Sequence, residues 1–297
     1  MEKNRFTICA NNYIDCLRQE GRYSTAHVYK HAIRSFSQFC GTQSITFSKI
    51  KPNTISTYMR MLRSIYNRGV DMHQAPYVHG LFRDVFTGVD TRQKKAIPIG
   101  ELHMLLNKDP QSEKLRRTQA IANLLFQFCG MPFSDLAHLE KSNLERGLLK
   151  YNRTKTGTPM SIEVLESAQN AIGGLYNKSD ARSSGYPDYL FRILSGAYKR
   201  NEEGAYREYQ SALRRFNNEL KSLSRKLRLH SPVTSYTLRH SWATTAKYRG
   251  VPIEMISESL GHKSIKTTQI YLKGFELEER TKVNKSNYSY VCNFKML

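Results

Sequence analysis

Along most of the chain apolar residues recur at helical spacing, and at one place they alternate instead. Phe6, Tyr13, Ile14 and Leu17 make a first amphipathic stripe. After a break at Gly21–Ser24, the residues Ala26, Tyr29, Ile33, Phe36 and Phe39 make a second. Ser24-Thr25 reads as the N-cap of that second helix. A loop over 41–52 surrounds a short apolar patch, Ile45–Phe47. Asn53-Thr54 then opens a third helix that carries Ile55, Tyr58, Met59, Leu62, Ile65 and Tyr66 on one face and Arg60, Arg63 and Arg68 on the other. Periodicity lapses and charge rises over 87–97, which reads as a linker. Helices are expected again over 99–107, 112–129, 166–176 and 205–228, the last with a basic face from Arg214 to Arg228. Between them, Leu148, Leu149 and Tyr151, a turn at Thr156-Gly157-Thr158-Pro159, and Met160, Ile162 and Val164 predict a β-hairpin with Lys155 at the end of its first strand. The resulting layout is a helical unit over 1–86, the linker over 87–97, a larger unit over 98–274, and a charged helix plus apolar tail over 275–297. The tail holds Tyr288, Tyr290, Val291 and Phe294.

Composition narrows the classes. At 297 residues the chain has room for one large domain or two ordinary ones, and a hydrophobic share of 39% suffices for packed cores. Lysine and arginine total 46 against 25 acidic residues, a formal charge of +21. Self-repulsion on that scale is usually offset by a polyanionic partner, so nucleic acid is the expected one. The five cysteines are scattered with no C-x-x-C pair, which fits neither a zinc ribbon nor a disulfide framework. The opening Met-Glu-Lys-Asn-Arg has no apolar h-region, and no apolar run is long enough to span a bilayer. The expected setting is the reducing cytoplasm, without membrane contact, metal or cofactor.

The decisive stretch runs from Ser235 to Tyr271. Arg239 falls at the opening of one helix, His262 follows Gly261 at the start of another, and Thr267-Thr268 precede Tyr271. A phosphoryl transition state spreads negative charge over oxygens that a guanidinium fork matches. An imidazole adds a hydrogen bond, a phenol is a usable nucleophile, and a hairpin lysine can protonate a departing oxygen. These are parts for cleaving a phosphodiester without a metal. In Leu-Arg-His, Leu-Gly-His, Thr-Thr and Tyr the chain resembles the tyrosine recombinases, or phage-type integrases, over about residues 20–290. Gly130-Met-Pro-Phe-Ser-Asp-Leu-Ala-His-Leu139 and the Thr-Ser-Tyr-x-x-Arg-His-Ser-Trp-Ala-Thr of 234–244 are similar to phrases in the integrases of Bacteroidetes mobile elements and inversion systems.

The resemblance implies a mainly α fold: a small helical core-binding (SAM-like) domain plus an α-rich catalytic domain with a small β-hairpin. It implies Tyr271 as nucleophile through a 3′-phosphotyrosyl intermediate, Arg239 and His262 on the scissile phosphate, and Lys155 as general acid. Asp135 falls at a buttressing acidic position, and Tyr236 and His240 are candidate supporting residues. Arg60, Arg63, Arg68, Lys263 and Lys266 are candidate DNA contacts. The implied partners are double-stranded DNA, three further copies of the chain on a synapse of two sites, and an accessory DNA-bending protein.

Three departures stand beside the match. The position of the family's first arginine is Pro132, which carries no donor, and Cys129 stands where many members of the Bacteroidetes branch have an arginine. Tyr236 replaces a histidine three positions before Arg239. Near 49–54 about 20 residues found in relatives are missing by helix count and spacing, which predicts an exposed apolar groove or a weaker grip on DNA. The runner-up reading is therefore a catalytically impaired DNA-binding relative, with a type IB topoisomerase-like enzyme third.

Overall fold

A computed structural model describes residues 5–41, 52–85, 87–88, 96–176, 186–272 and 277–292. The chain divides into two compact units, 1–92 with 197–208, and 93–196 with 209–297. The grouping of 197–208 with the first unit departs from the boundaries expected above. Most of the expected linker lies outside the described residues, as does the 49–51 part of the 49–54 stretch where a shortening is expected.

In the first unit α1 (Arg5–Gln19), α2 (Tyr23–Gly41) and α3 (Pro52–Asp71) pack their apolar stripes together. Ile14, Leu17, Ala26, Tyr29, Ile33, Leu62 and Ile65 are buried, as are Cys9 and Ala10, which the stripe reading left out. α1 ends at Gly21, whose left-handed φ of 70° lets its amide reach Arg18 O at 2.9 Å and the Arg22 amide reach Leu17 O at 2.8 Å. That double cap turns the chain so sharply that α2 restarts at Tyr23. Ser24-Thr25 therefore lies inside α2 rather than capping it. α3 begins on Pro52, a first-turn position where the missing amide costs nothing. Beyond α3, Tyr66 Oη donates to Pro76 O and accepts from the Val78 amide, strapping the following turn to the helix.

The second unit is built on α4 (Ile99–Asn107), α5 (Glu113–Gln127), the short α6 (Phe133–Ala137), α7 (Glu166–Leu175) and α8 (Glu203–Lys226), the first turns of α8 being grouped with the first unit. Leu105, Leu124, Leu125, Leu136, Leu139, Leu149, Phe191 and Leu220 are almost fully enclosed at their centre. An antiparallel sheet in the order β1-β2-β3 covers one side, with β1 Leu144–Glu145, β2 Leu148–Asn152 and β3 Pro159–Glu163. The hairpin is the one expected, with Leu149 opposite Ile162. Its turn comes earlier than expected, spanning Arg153 to Thr158, so Lys155 lies within the turn. The extra strand β1 is two residues long, too short for alternation to register.

α9 (Ser235–Tyr248), α10 (Ile253–Ser259), α11 (Ile265–Tyr271) and α12 (Leu277–Cys292) complete the described chain. Ala243, Ile256, Leu260 and Leu272 form a separate cluster against Trp242. α12 runs through Tyr288, where an apolar tail was expected to follow the helix; Tyr288 and Val283 are exposed, and Phe294 lies outside the described residues. No helix among the described residues is long and apolar enough to cross a membrane.

Candidate active site

Thr234 starts α9 with a reciprocal cap: the Thr237 amide donates to Thr234 Oγ1 at 3.1 Å and the Thr234 amide to Thr237 Oγ1 at 2.8 Å. Ser241 Oγ, one turn on, accepts from the Ile97 amide at 2.9 Å. The helix that carries Arg239 is thus pinned at both ends of its first two turns. Arg239 itself sits in the second turn, only 6% exposed. Its Nη1 donates to Gly130 O at 2.9 Å and its Nη2 to Leu260 O at 2.6 Å. Gly130 is required at the first of these contacts. Its φ is +64°, and a Cβ there would lie 3.1 Å from Arg239 Cα and 3.2 Å from Trp242 Cβ.

His262 lies in the connector between α10 and α11, two residues before α11's cap at Ser264, rather than on the helix start. Its Nε2 is 3.2 Å from Arg239 Nη2, and its Nδ1 is 2.8 Å from Thr268 Oγ1. A guanidinium can only donate, so Nε2 is the acceptor and the ring proton resides on Nδ1, donated to Thr268. Burial, then the charges of Arg239, Arg153 and Lys155, hold the imidazole well below its ordinary pKa, at about 4. It is neutral near pH 7. Thr268 is fully buried in α11, and Tyr271 ends the same helix one turn later. The Tyr271 side chain lies outside the described residues.

Asp135 is 2% exposed on α6. Its Oδ1 accepts from the Thr154 amide and from Ser134 Oγ, both at 3.2 Å, and its Oδ2 meets Arg153 Nε at 2.8 Å. That last approach is an ion pair off the hydrogen-bond angle. The spacing reading passed over Arg153, which is 7% exposed at the start of the hairpin turn and whose Nη1 donates to Leu260 O. Gly261 makes its approach feasible. With φ at +64°, a Cβ on Gly261 would lie 2.7 Å from Met160 Sδ and 3.0 Å from Arg153 Cγ. Arg153, Asp135, Arg239 and His262 therefore form one connected group around the Leu260 carbonyl.

Lys155, two residues along, is exposed and close enough for His262 to feel its charge. His240 is buried beside Arg239 on α9, and Tyr236 is 42% exposed in the helix's first turn. Pro132 caps α6 and supplies no donor, as expected. Lys263 and Lys266 are exposed around the start of α11. Arg60, Arg63 and Arg68 are exposed on α3 of the first unit, where Arg68 lies over the Tyr13 ring at 4.7 Å. Burial, then the Asp135 charge, pushes the Tyr151 phenol far above its ordinary range, so this neighbour of the group is a poor nucleophile. Among the described residues no three His, Cys, Asp or Glu side chains gather as a metal site would require.

Known proteins resemble the chain over most of its length. Residues 99–277 match the phage integrase family, and residues 5–60 match the phage integrase SAM-like domain. A probable integrase/recombinase protein of Methanocaldococcus jannaschii is 27% identical over 243 residues, covering 79% of this chain and 70% of its own. Among solved structures, the Tn1549 transposon integrase in complex with a circular intermediate DNA superposes with a TM-score of 0.60 at 15% identity, over 93% of this chain and 99% of that one. A lambda integrase tetramer bound to a Holliday junction does so at 0.56 and 15%, over 92% and 79%. At such identities the structural likeness shows the fold.

Proposed function

The chain belongs to the phage integrase (tyrosine recombinase) family, and from that premise we propose that it cuts and rejoins duplex DNA at specific sites through a 3′-phosphotyrosyl intermediate on Tyr271. The observation that carries the reading is the Arg239–His262 pair: two side chains 3.2 Å apart, held by backbone carbonyls and by Thr268, on the helix that ends at Tyr271. In the reaction the Tyr271 oxygen bonds to phosphorus and its proton is lost to solvent. The bond to the 5′ oxygen breaks, and Lys155 protonates that oxygen. Arg239 and His262 hold the non-bridging oxygens: with the phosphate bound, His262 carries its proton on Nε2 and Thr268 Oγ1 donates to Nδ1, while a guanidinium already fixed by Gly130 O and Leu260 O needs little reorganisation. Attack by an incoming 5′ hydroxyl reverses the step on a new partner strand.

The helical region over 1–86 serves as the DNA clamp in this reading, with Arg60, Arg63 and Arg68 on phosphates, and Lys263 and Lys266 add contacts beside the site. Strand exchange takes place in a homotetramer, the assembly in which lambda integrase was solved on a Holliday junction. An accessory DNA-bending protein, a cytoplasmic setting and a place in the Bacteroidetes mobile-element branch complete the reading. The branch rests on the shared 130–139 and 234–244 phrases.

The test is denaturant-resistant capture of DNA on the protein in its host, with sequencing of the trapped fragments and Tyr271→Phe alongside. Discrete adducts that vanish in Tyr271→Phe are expected, and they name the target site. A folded, DNA-bound protein that traps nothing would leave the binding-only relative as the reading, with Pro132 the first suspect.

A further inference from the structure

A phosphoryl transition state exposes two non-bridging oxygens to the protein, and one guanidinium rarely satisfies both. Arg239 already spends Nη1 on Gly130 O and Nη2 on Leu260 O and His262. Pro132 offers no donor. A second guanidinium nevertheless reaches the same place from another element. Arg153 enters from the β2–β3 turn, and its Nη1 donates to the Leu260 carbonyl that Arg239 also uses. Its Nε faces Asp135 at 2.8 Å, which leaves Nη2 without a partner among the described residues.

A charged side chain 7% exposed is costly to bury unless something fixes it, and here three things do. Asp135 pairs with it, the Leu260 carbonyl accepts from it, and Gly261 clears room for its stem. Asp135 pairs with Arg153, while Arg239, Arg153 and Lys155 all bring positive charge to His262, which is itself neutral. Such a group is completed by an anion. We infer that Arg153 supplies the second guanidinium of the phosphate clamp, contacting a non-bridging oxygen through Nη2 while Asp135 and Leu260 O hold it in place. The pairing also accounts for Asp135: its carboxylate buttresses the hairpin arginine, since no cation stands at Pro132.

This inference rests on the recombinase reading, and its test separates the two. The substrate is a nicked duplex oligonucleotide carrying the captured site, made with an ordinary phosphodiester or with a methylphosphonate replacing either non-bridging oxygen in turn. A methylphosphonate lacks the charge that a guanidinium would neutralise. Arg153→Ala is expected to lower the rate of covalent adduct formation on the phosphodiester by about 10²-fold or more, the effect of losing one preorganised donor. One methylphosphonate isomer should restore most of that loss, and Arg153→Lys should fall between. Because Arg153→Ala leaves Asp135 buried and alone, the double change Arg153→Ala with Asp135→Asn is run beside it and should show the same rescue. A folded variant that cleaves the phosphodiester as fast as wild type would overturn the role. So would a folded, DNA-bound variant slow on both substrates, because a mere brace would not respond to the charge on phosphate. Wild type forming no adduct would instead sink the recombinase reading, and the clamp with it.

Discussion

His262 takes up its proton only near pH 4 in the folded chain and near 6.5 when unfolded, so below pH 6.5 the unfolded state binds more protons. Its contribution to stability is complete above pH 6.5 and is lost as the pH falls from there toward 4. The thermal midpoint of the DNA-free protein should therefore decline across that window, and His262→Gln should decline less. Asp135→Ala would strand Arg153, 7% exposed, without its carboxylate. The expected cost is about 3–5 kcal/mol in urea unfolding, the range for breaking one side of a buried pair. Gly261→Ala strains a backbone at φ +64° and puts a methyl 3.0 Å from Arg153 Cγ. A loss of about 1–3 kcal/mol is expected, together with slower adduct formation, because Arg153 must give way. Arg239 and His262, which the structure brings together, were legible because one short stretch holds them at fixed spacing, as it does Tyr271. Arg153 was not, since an arginine in a hairpin ordinarily reads as solvated and its partners lie 18 and 107 positions away, at Asp135 and Leu260. The usable signal was indirect: Asp135 reads as a buttressing acid, and the nearby Pro132 offers it no cation to buttress.

At the level of elements, α4 and α7 emerge within a residue of their expected boundaries, each with an acidic residue in its first turn, Glu101 and Glu166. α12 is longer than its sequence suggests, because Tyr288, Tyr290 and Val291 lie close together and resemble a tail more than a helix face. The hairpin is legible in the alternation, but Gly157 points to a turn at 156–159. Gly157 indeed has φ at +69°, yet the chain closes earlier, with the Arg153 amide on Thr158 O at 2.9 Å and the Gly157 amide on Arg153 O at 2.8 Å. The single turn therefore carries both Arg153 and Lys155. α11 is similarly tied to the site through Thr268. Thr268→Val would leave the His262 Nδ1 proton without its acceptor at 2.8 Å. About 1–3 kcal/mol of stability should be lost. Adduct formation should slow while DNA affinity, measured by gel shift, stays near the wild-type value.

Across the whole molecule the formal charge of +21 makes binding to DNA steeply salt-dependent. Neutralising a true phosphate contact lowers the slope of log affinity against log salt by about 0.9. Arg60→Ala and Arg63→Ala are each expected to do so, and an unchanged slope would remove that residue from the contact set. A lapse in periodicity near 90 is legible in the sequence, beside the end of the 1–92 segment. The grouping of 197–208 with the first unit was not, because it depends on pairings distant in sequence such as Tyr23 with Tyr206, whose rings stack 6.0 Å apart. The carbonyl of Leu260, shared by Arg153 and Arg239, has one further consequence, for hydrogen exchange. The His262 amide, bonded to Ser257 O, and the Arg153 amide, bonded to Thr158 O, belong to segments joined by the Arg153 bond to Leu260 O, the carbonyl that Arg239 also holds from α9. Deuterium should enter them in one cooperative opening of common free energy, although they lie more than a hundred residues apart along the chain.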